Sequence, residues 1–169
     1  MNTKLLSIIS LLVLTACNMI EYHPYDLNVR GEKNINDKNI LRIEEKMKDK
    51  TEFSFAVISD TQRWYDETND AVAKINTIGK VEFVVHCGDL SDFGAKLEFE
   101  KQRDILNKLN VPYVCLLGNH DCLATGQKVF DTIFGEENFA FTAGNVLFLC
   151  LNTNALEYDY SHMVPDFAF

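Results

Sequence analysis

Three apolar runs in this chain each end in an oxygen-rich turn. Phe53 to Ile58 leads into Ser59-Asp60-Thr61-Gln62, Val81 to Cys87 into Gly88-Asp89-Leu90-Ser91-Asp92, and Tyr113 to Leu117 into Gly118-Asn119-His120-Asp121. Short apolar runs bounded by turn residues read as buried strands. Between the first two runs, Asn69 to Ile78 places Ala71, Val72, Ile75 and Ile78 at helical spacing, and Thr68-Asn69-Asp70 predicts the helix start. Between the second and third, Lys96 to Leu109 repeats the pattern and stops before Val111-Pro112. Strand, helix, strand, helix, strand predicts βαβ units with right-handed crossovers and a mostly parallel sheet. In such a sheet the ligand crevice lies outside the carboxyl ends of the strands, where the three turns can converge although they are far apart in sequence. Convergence of Asp, Gln, Asp, Asn and His points to a metal.

The flanks extend this α/β reading. Asn39 to Lys50, with Ile40, Leu41, Ile43 and Met47, predicts an amphipathic helix leading into the first strand. After the third strand a short helix is predicted over Gln127 to Phe134. Phe139 to Thr142 and Val146 to Leu151, joined through Ala143-Gly144-Asn145, then read as an antiparallel hairpin.

The order Asp60-Thr61-Gln62, Gly88-Asp89, Gly118-Asn119-His120-Asp121 resembles the first three motifs of the calcineurin-like metallophosphoesterases. The resemblance runs from about Thr51 to Asn154 and implies that family's α/β sandwich. It also implies two divalent metal ions, Mn²⁺, Fe²⁺ or Zn²⁺, and hydrolysis of a phosphate mono- or diester by a hydroxide that bridges them. Asp60 and Gln62 would hold the first metal, Asp89 would bridge the pair, and Asn119 would hold the second through its amide oxygen. His120 would lie beside the phosphate as an acid or oxyanion stabiliser, with Asn119 also near the substrate. Asp121 would orient His120 by accepting from its other ring nitrogen. The chain departs from the family in two places. Gln62 stands where the first motif has His, and an amide oxygen suits a hard cation better than a borderline one. No Gly-His-x-His turn follows the hairpin; the one later histidine is His162. The domain is therefore expected to be the N-terminal half of the family's, incomplete at its C-terminus, with a sheet edge open to a partner or to a second copy.

At the other end, Lys4, the apolar run Leu5 to Leu14 and Thr15-Ala16-Cys17 have the three regions of a secretory signal. Leu14-Thr15-Ala16-Cys17 resembles a bacterial lipobox. Residues 1–16 are thus expected to be a lipoprotein signal peptide, Cys17 the lipidation site carrying palmitate or a related acyl chain, 17–39 a polar tether and 40–169 the domain. That implies a membrane lipoprotein of the bacterial cell envelope, because several acyl chains hold where one does not. An ordinary signal peptide with an incidental Cys17 is the alternative.

A formal net charge of −9 and the absence of a basic cluster argue against a nucleic-acid surface. A phosphate ester remains open as substrate, since metal ions supply positive field locally. Cys87, Cys115, Cys122 and Cys150 permit disulfides in a chain that leaves the cytoplasm, but most lie in apolar strands, where free cysteine behaves as a small hydrophobe. His86, inside a strand, reads as a core histidine. Asp92 reads as a cap or backbone acceptor before a metal ligand, and Asn152 as a turn former before a crevice residue. Arg63, in Arg63-Trp64-Tyr65 after the first motif, either pairs with substrate phosphate or belongs to a solvated loop with one packed aromatic. Two function classes follow: a lipid-anchored phosphoesterase, or a non-catalytic family member that serves as a binding module or has no function.

Overall fold

The computed structural model describes His23 and residues 25–154; the leader, Cys17 and His162 lie outside the described residues. Strands β1 (Ser54–Ile58), β2 (Val81–His86) and β3 (Tyr113–Cys115) form a parallel sheet in that order. Helix α1 (Ile35–Met47) precedes β1, and α2 (Tyr65–Thr77) and α3 (Lys96–Leu106) make the two crossovers. A 3₁₀ turn (His120–Cys122) and α4 (Gly126–Ile133) follow β3. The chain closes its described part with the antiparallel hairpin β4 (Phe139–Ala143) and β5 (Val146–Cys150). This is the predicted α/β order.

Alternation along β2 and β3 builds two cores, one on each face of the sheet. Val84, Tyr113 and Cys115 pack with Val72, Phe99 and Phe130 of the helices that follow the strands. Phe83, Val85 and Val114 face the other way, against Ile43 and Met47 of α1 and Phe141 of the hairpin. Rings dominate this second core: Phe141 stacks on Phe148 at 4.8 Å and meets Phe83 edge-on at 5.8 Å. Such pairs contribute about 0.5–1.5 kcal/mol each beyond the area they bury.

Helix α1 also closes one edge of the sheet. Asn36 donates to the Cys115 carbonyl at 2.8 Å and accepts from its N–H at 2.9 Å, and Asn39 donates to the Tyr113 carbonyl at 2.8 Å. Those amides satisfy backbone groups of β3 that have no neighbouring strand. For this reason α1 starts at Ile35, four residues before the predicted Asn39, in a stretch whose asparagines read as tether. The expected tether over 17–39 is corrected at its end. Val29 is buried, the Arg30 N–H donates to Glu100 at 2.7 Å, and Lys96 pairs with Asp26, so this segment packs on α3.

A second correction concerns α2, which begins at Tyr65 with Trp64 as its cap residue, not at Thr68-Asn69-Asp70. Thr68 is already helical, and its hydroxyl donates back to the Trp64 carbonyl at 2.5 Å. No disulfide joins the four described cysteines to one another: Cys115 and Cys150 are buried, Cys122 is half-buried and Cys87 is exposed. Among the described residues no helix is long and apolar enough to cross a membrane.

Candidate metal centre

Register brings the three turns together. Ile58 pairs with His86 and His86 with Cys115, so the strands reach their carboxyl ends side by side. The turns then bond to one another: the Asp60 N–H donates to the Gly88 carbonyl at 3.1 Å and the Gln62 N–H to the Asp89 carbonyl at 3.0 Å. Gly88 and Gly118 meet backbone to backbone. A Cβ on Gly118 would overlap the Asp89 backbone nitrogen and Oδ1, and one on Gly88 would strike Gly118. Only glycine permits so close an approach, and Gly88 also sits at φ 100°.

Backbone strain gathers at the same place. Asp60, Gln62 and Asp89 have φ of 57°, 32° and 56°, the left-handed region that costs a non-glycine residue energy. Two groups hold this geometry. Gln102 of α3, fully buried, donates to the Thr61 carbonyl at 3.1 Å and the Gln62 carbonyl at 2.5 Å. His86 sits beneath, its Nε2 2.9 Å from the Thr61 hydroxyl and its Nδ1 accepting from the Gly88 N–H at 3.2 Å. Burial pushes the His86 pKa down to about 4, against the pull of the Asp60 charge. His86 is thus a neutral, satisfied core histidine. Gln102 was not singled out by sequence, because a glutamine on a helix carries no signal that it will turn inward onto a loop.

Asp121 corrects the sequence reading. Its buried carboxylate accepts from the N–H groups of Leu90 (3.2 Å), Ser91 (2.7 Å) and Gly118 (3.0 Å) and from the Ser91 hydroxyl (2.8 Å). Those donors tie the β2 turn to the β3 turn and leave no contact to the His120 ring. Burial raises the Asp121 pKa to about 6, opposed by the four donors. His120 is oriented by Asp92 instead: its Nδ1 lies 2.9 Å from the Asp92 carbonyl oxygen, so Nδ1 carries the proton and Nε2 is the titrating nitrogen. The hydrogen bond to that carbonyl leads the causes that raise the His120 pKa. The His120 N–H meanwhile donates to Asp89 Oδ1 at 3.0 Å. Arg63 meets the Asp92 carboxylate at 2.7 Å and lies over the Phe93 ring at 5.3 Å. Asp92 does not cap α3; Glu98 accepts the Ala95 N–H there at 3.1 Å. Asn152 forms a turn, accepting from Asn154 and donating to Glu137.

The candidate ligands behave differently from these scaffolding groups. Among the described residues, no hydrogen bond or ion pair engages the side chains of Asp60, Gln62 or Asn119. Asp89 is buried and engages one carboxylate oxygen. Among the described residues no three His, Cys, Asp or Glu side chains form a metal cage. The four candidates are two carboxylates and two amides, oxygen donors that suit a hard or borderline divalent ion completed by other ligands. The strained, glycine-backed turns and the disengaged oxygens fit such an ion.

Comparison with known proteins agrees with this geometry. Residues 53–165 match the family described as calcineurin-like phosphoesterase. The chain is 29% identical over 84 residues to a 3',5'-cyclic-nucleotide phosphodiesterase of Nostoc sp., covering 50% of this chain and 32% of that protein. It is 38% identical over 106 residues to the serine/threonine-protein phosphatase CPPED1 of Mus musculus, covering 56% of this chain and 34% of that protein. The bovine CPPED1 is 34% identical over 110 residues, with 59% and 34% covered. The matched segments amount to about a third of each relative's length.

Proposed function

The chain belongs to the calcineurin-like phosphoesterase family, and from that premise we propose that it hydrolyses a phosphate mono- or diester at the carboxyl end of its parallel sheet. The observation that carries this reading is the contrast within the turns: Asp121, Ser91 and Gln102 are fixed by hydrogen bonds, while among the described residues nothing engages the side chains of Asp60, Gln62 and Asn119. Asp60 and Gln62 would hold one divalent ion, Asn119 a second, and Asp89 both. When bound, such a pair acidifies a water and neutralises the oxygens of the phosphoryl group.

The chain's own residues supply the rest. Asp89 fixes the β3 turn by accepting the His120 N–H, which sets the imidazole beside the ligands. With Nδ1 donating to the Asp92 carbonyl, the raised His120 pKa keeps Nε2 protonated further toward neutral pH, so it can donate to a leaving oxygen. Asp121 acts through the loops, holding Gly118 against Asp89. Arg63 would exchange Asp92 for substrate phosphate. The relatives' names span a phosphodiesterase and protein phosphatases, so mono- and diesters both belong in the first assay.

The test is Mn²⁺, Fe²⁺ and Zn²⁺ stoichiometry on the purified chain, with phosphate release measured alongside. Close to two ions per chain with release of phosphate is the expected result. Less than one ion would favour the second reading, a non-catalytic binding module. We also propose anchoring at the bacterial cell envelope through acylated Cys17; labelled palmitate should enter the wild-type chain and not Cys17→Ser.

A further inference from the structure

Between the candidate centre and helix α2 lies an exposed indole. Trp64 is 60% exposed, although burying so large a ring would gain more than burying any other side chain. Its backbone is rigid: the N–H donates to the Thr61 carbonyl at 2.8 Å, and its own carbonyl accepts from the Thr68 N–H at 2.8 Å and the Thr68 hydroxyl at 2.5 Å. Gln62, Arg63 and Trp64 line one open depression of about 370 Å³. That is within the size range of small-molecule sites. Three consecutive residues thus present an amide oxygen assigned to metal, a guanidinium and an aromatic face.

We propose that Trp64, with Arg63 beside it, is the recognition platform for a planar aromatic group carried by the phosphate ester, a nucleobase or an aryl ring. The inference deepens the phosphoesterase reading and rests on it for the position of the phosphate. Spacing supports it. Trp64 stands two positions after Gln62 with Arg63 between them, a backbone reach of at most about 7 Å, which suits a phosphate joined through one sugar or directly to a ring. Charge supports it as well: Arg63 is 65% exposed and its guanidinium, lying over the Phe93 ring, meets a single carboxylate among the described residues, Asp92, for which an anionic substrate can compete. A platform whose backbone is already bonded loses little freedom when a ring stacks on it. Ring stacking of this kind tolerates many bases, because each has a π-face.

The chain carries one tryptophan, so its fluorescence reports this position alone. The full chain, with and without Mn²⁺, is titrated with adenosine 5'-monophosphate, phenyl phosphate and ribose 5-phosphate, and affinities are checked by calorimetry. The expected result is saturable quenching by the aromatic esters and binding about tenfold tighter than for ribose 5-phosphate, a typical return for one stacked base. In Trp64→Leu, which keeps apolar bulk at an exposed position, that ratio should fall toward one. Adenosine monophosphate ahead of phenyl phosphate assigns the platform to a nucleobase; equal affinities assign it to an aryl ring. Equal binding of ribose 5-phosphate and the aromatic esters, absent quenching, or a ratio unchanged in Trp64→Leu would overturn the proposal. Phosphate release is measured separately. Quenching without release removes the catalytic reading and keeps the platform, and release without quenching does the reverse.

Discussion

The turn end of the parallel sheet and the outer face of the hairpin are exposed for opposite reasons. At the turns, polar side chains are divided between scaffolding and disengaged oxygens: the Asp121 carboxylate is buried on four hydrogen bonds, and among the described residues the side chains of Asp60, Gln62 and Asn119 make none. On the hairpin, Phe139, Phe141 and Ala143 face the core while Leu147 and Leu149 on β5 are 61% and 62% exposed. One region holds disengaged oxygens on a strained, tightly bonded frame; the other holds apolar surface on an unstrained ladder. Function-like tension sits where backbone strain and disengaged polar atoms coincide. Apolar exposure alone does not create it.

The largest expected effect comes from cutting the frame. Asp121→Ala leaves the N–H groups of Leu90, Ser91 and Gly118 without their acceptor in a buried place, at a cost of about 3–5 kcal/mol. Denaturant unfolding measures it, and Asp121→Asn, which keeps one acceptor oxygen, should recover part. A loss below about 1 kcal/mol in Asp121→Ala would mean that the turns are held elsewhere and the contrast with the hairpin is false.

Next is the division between ligands and scaffold. Asp89→Ala is expected to abolish Mn²⁺ binding, since it removes the carboxylate assigned to both ions. Asp92→Ala should leave most of it, because the contact that orients His120 uses the Asp92 backbone carbonyl, which survives the substitution. Equal titration curves for the two variants would sink the bridging assignment.

Sequence pattern made the sheet legible because its strands are short apolar runs, β1 included although its Phe55 and Val57 stay exposed, and Gly144-Asn145 between two such runs marks a hairpin. The turns were legible as turns for the same reason: each ends a strand. What the chain did with its polar side chains was not legible. Asn36 and Asn39 read as tether because their partners, the Cys115 and Tyr113 backbones, lie more than seventy residues away. Thr68 read as a cap, yet a hydroxyl bonds back into a helix as readily as it starts one. Asp121 read as the partner of His120 because they are adjacent. The close approach of Gly88 and Gly118 instead delivers three backbone donors to that carboxylate, which only the packed sheet reveals.

A pH experiment sharpens the frame further. His86 binds its proton at about pH 4 when folded, and an unfolded histidine does so near 6.5. Between those values the unfolded chain holds more protons at this site, so its contribution to stability is full above pH 6.5 and is lost as pH falls toward 4. The loss is about 3 kcal/mol. Asp121, raised to about 6, contributes in the opposite sense over much of the same window, losing stability as pH rises. The wild-type curve alone would therefore be flattened. The difference in unfolding free energy between wild type and His86→Gln isolates the histidine, and it should shrink by about 3 kcal/mol from pH 7 to pH 4. A constant difference would mean that His86 is not sealed beneath the turns.

The smallest effect is expected on the hairpin. Leu147 stands opposite Thr142 and Leu149 opposite Ala140, on the face of the ladder turned away from the core. Replacing Leu147 with Lys removes no buried contact and adds a charge to an edge strand, a common way of discouraging strand-to-strand association. Stability should move by no more than about 0.5 kcal/mol, while light scattering at high concentration should fall. A destabilisation above about 1.5 kcal/mol would show that this leucine is covered in solution. The two regions would then differ only in what covers them: the proposed metal ions at the turns, and protein surface at the hairpin.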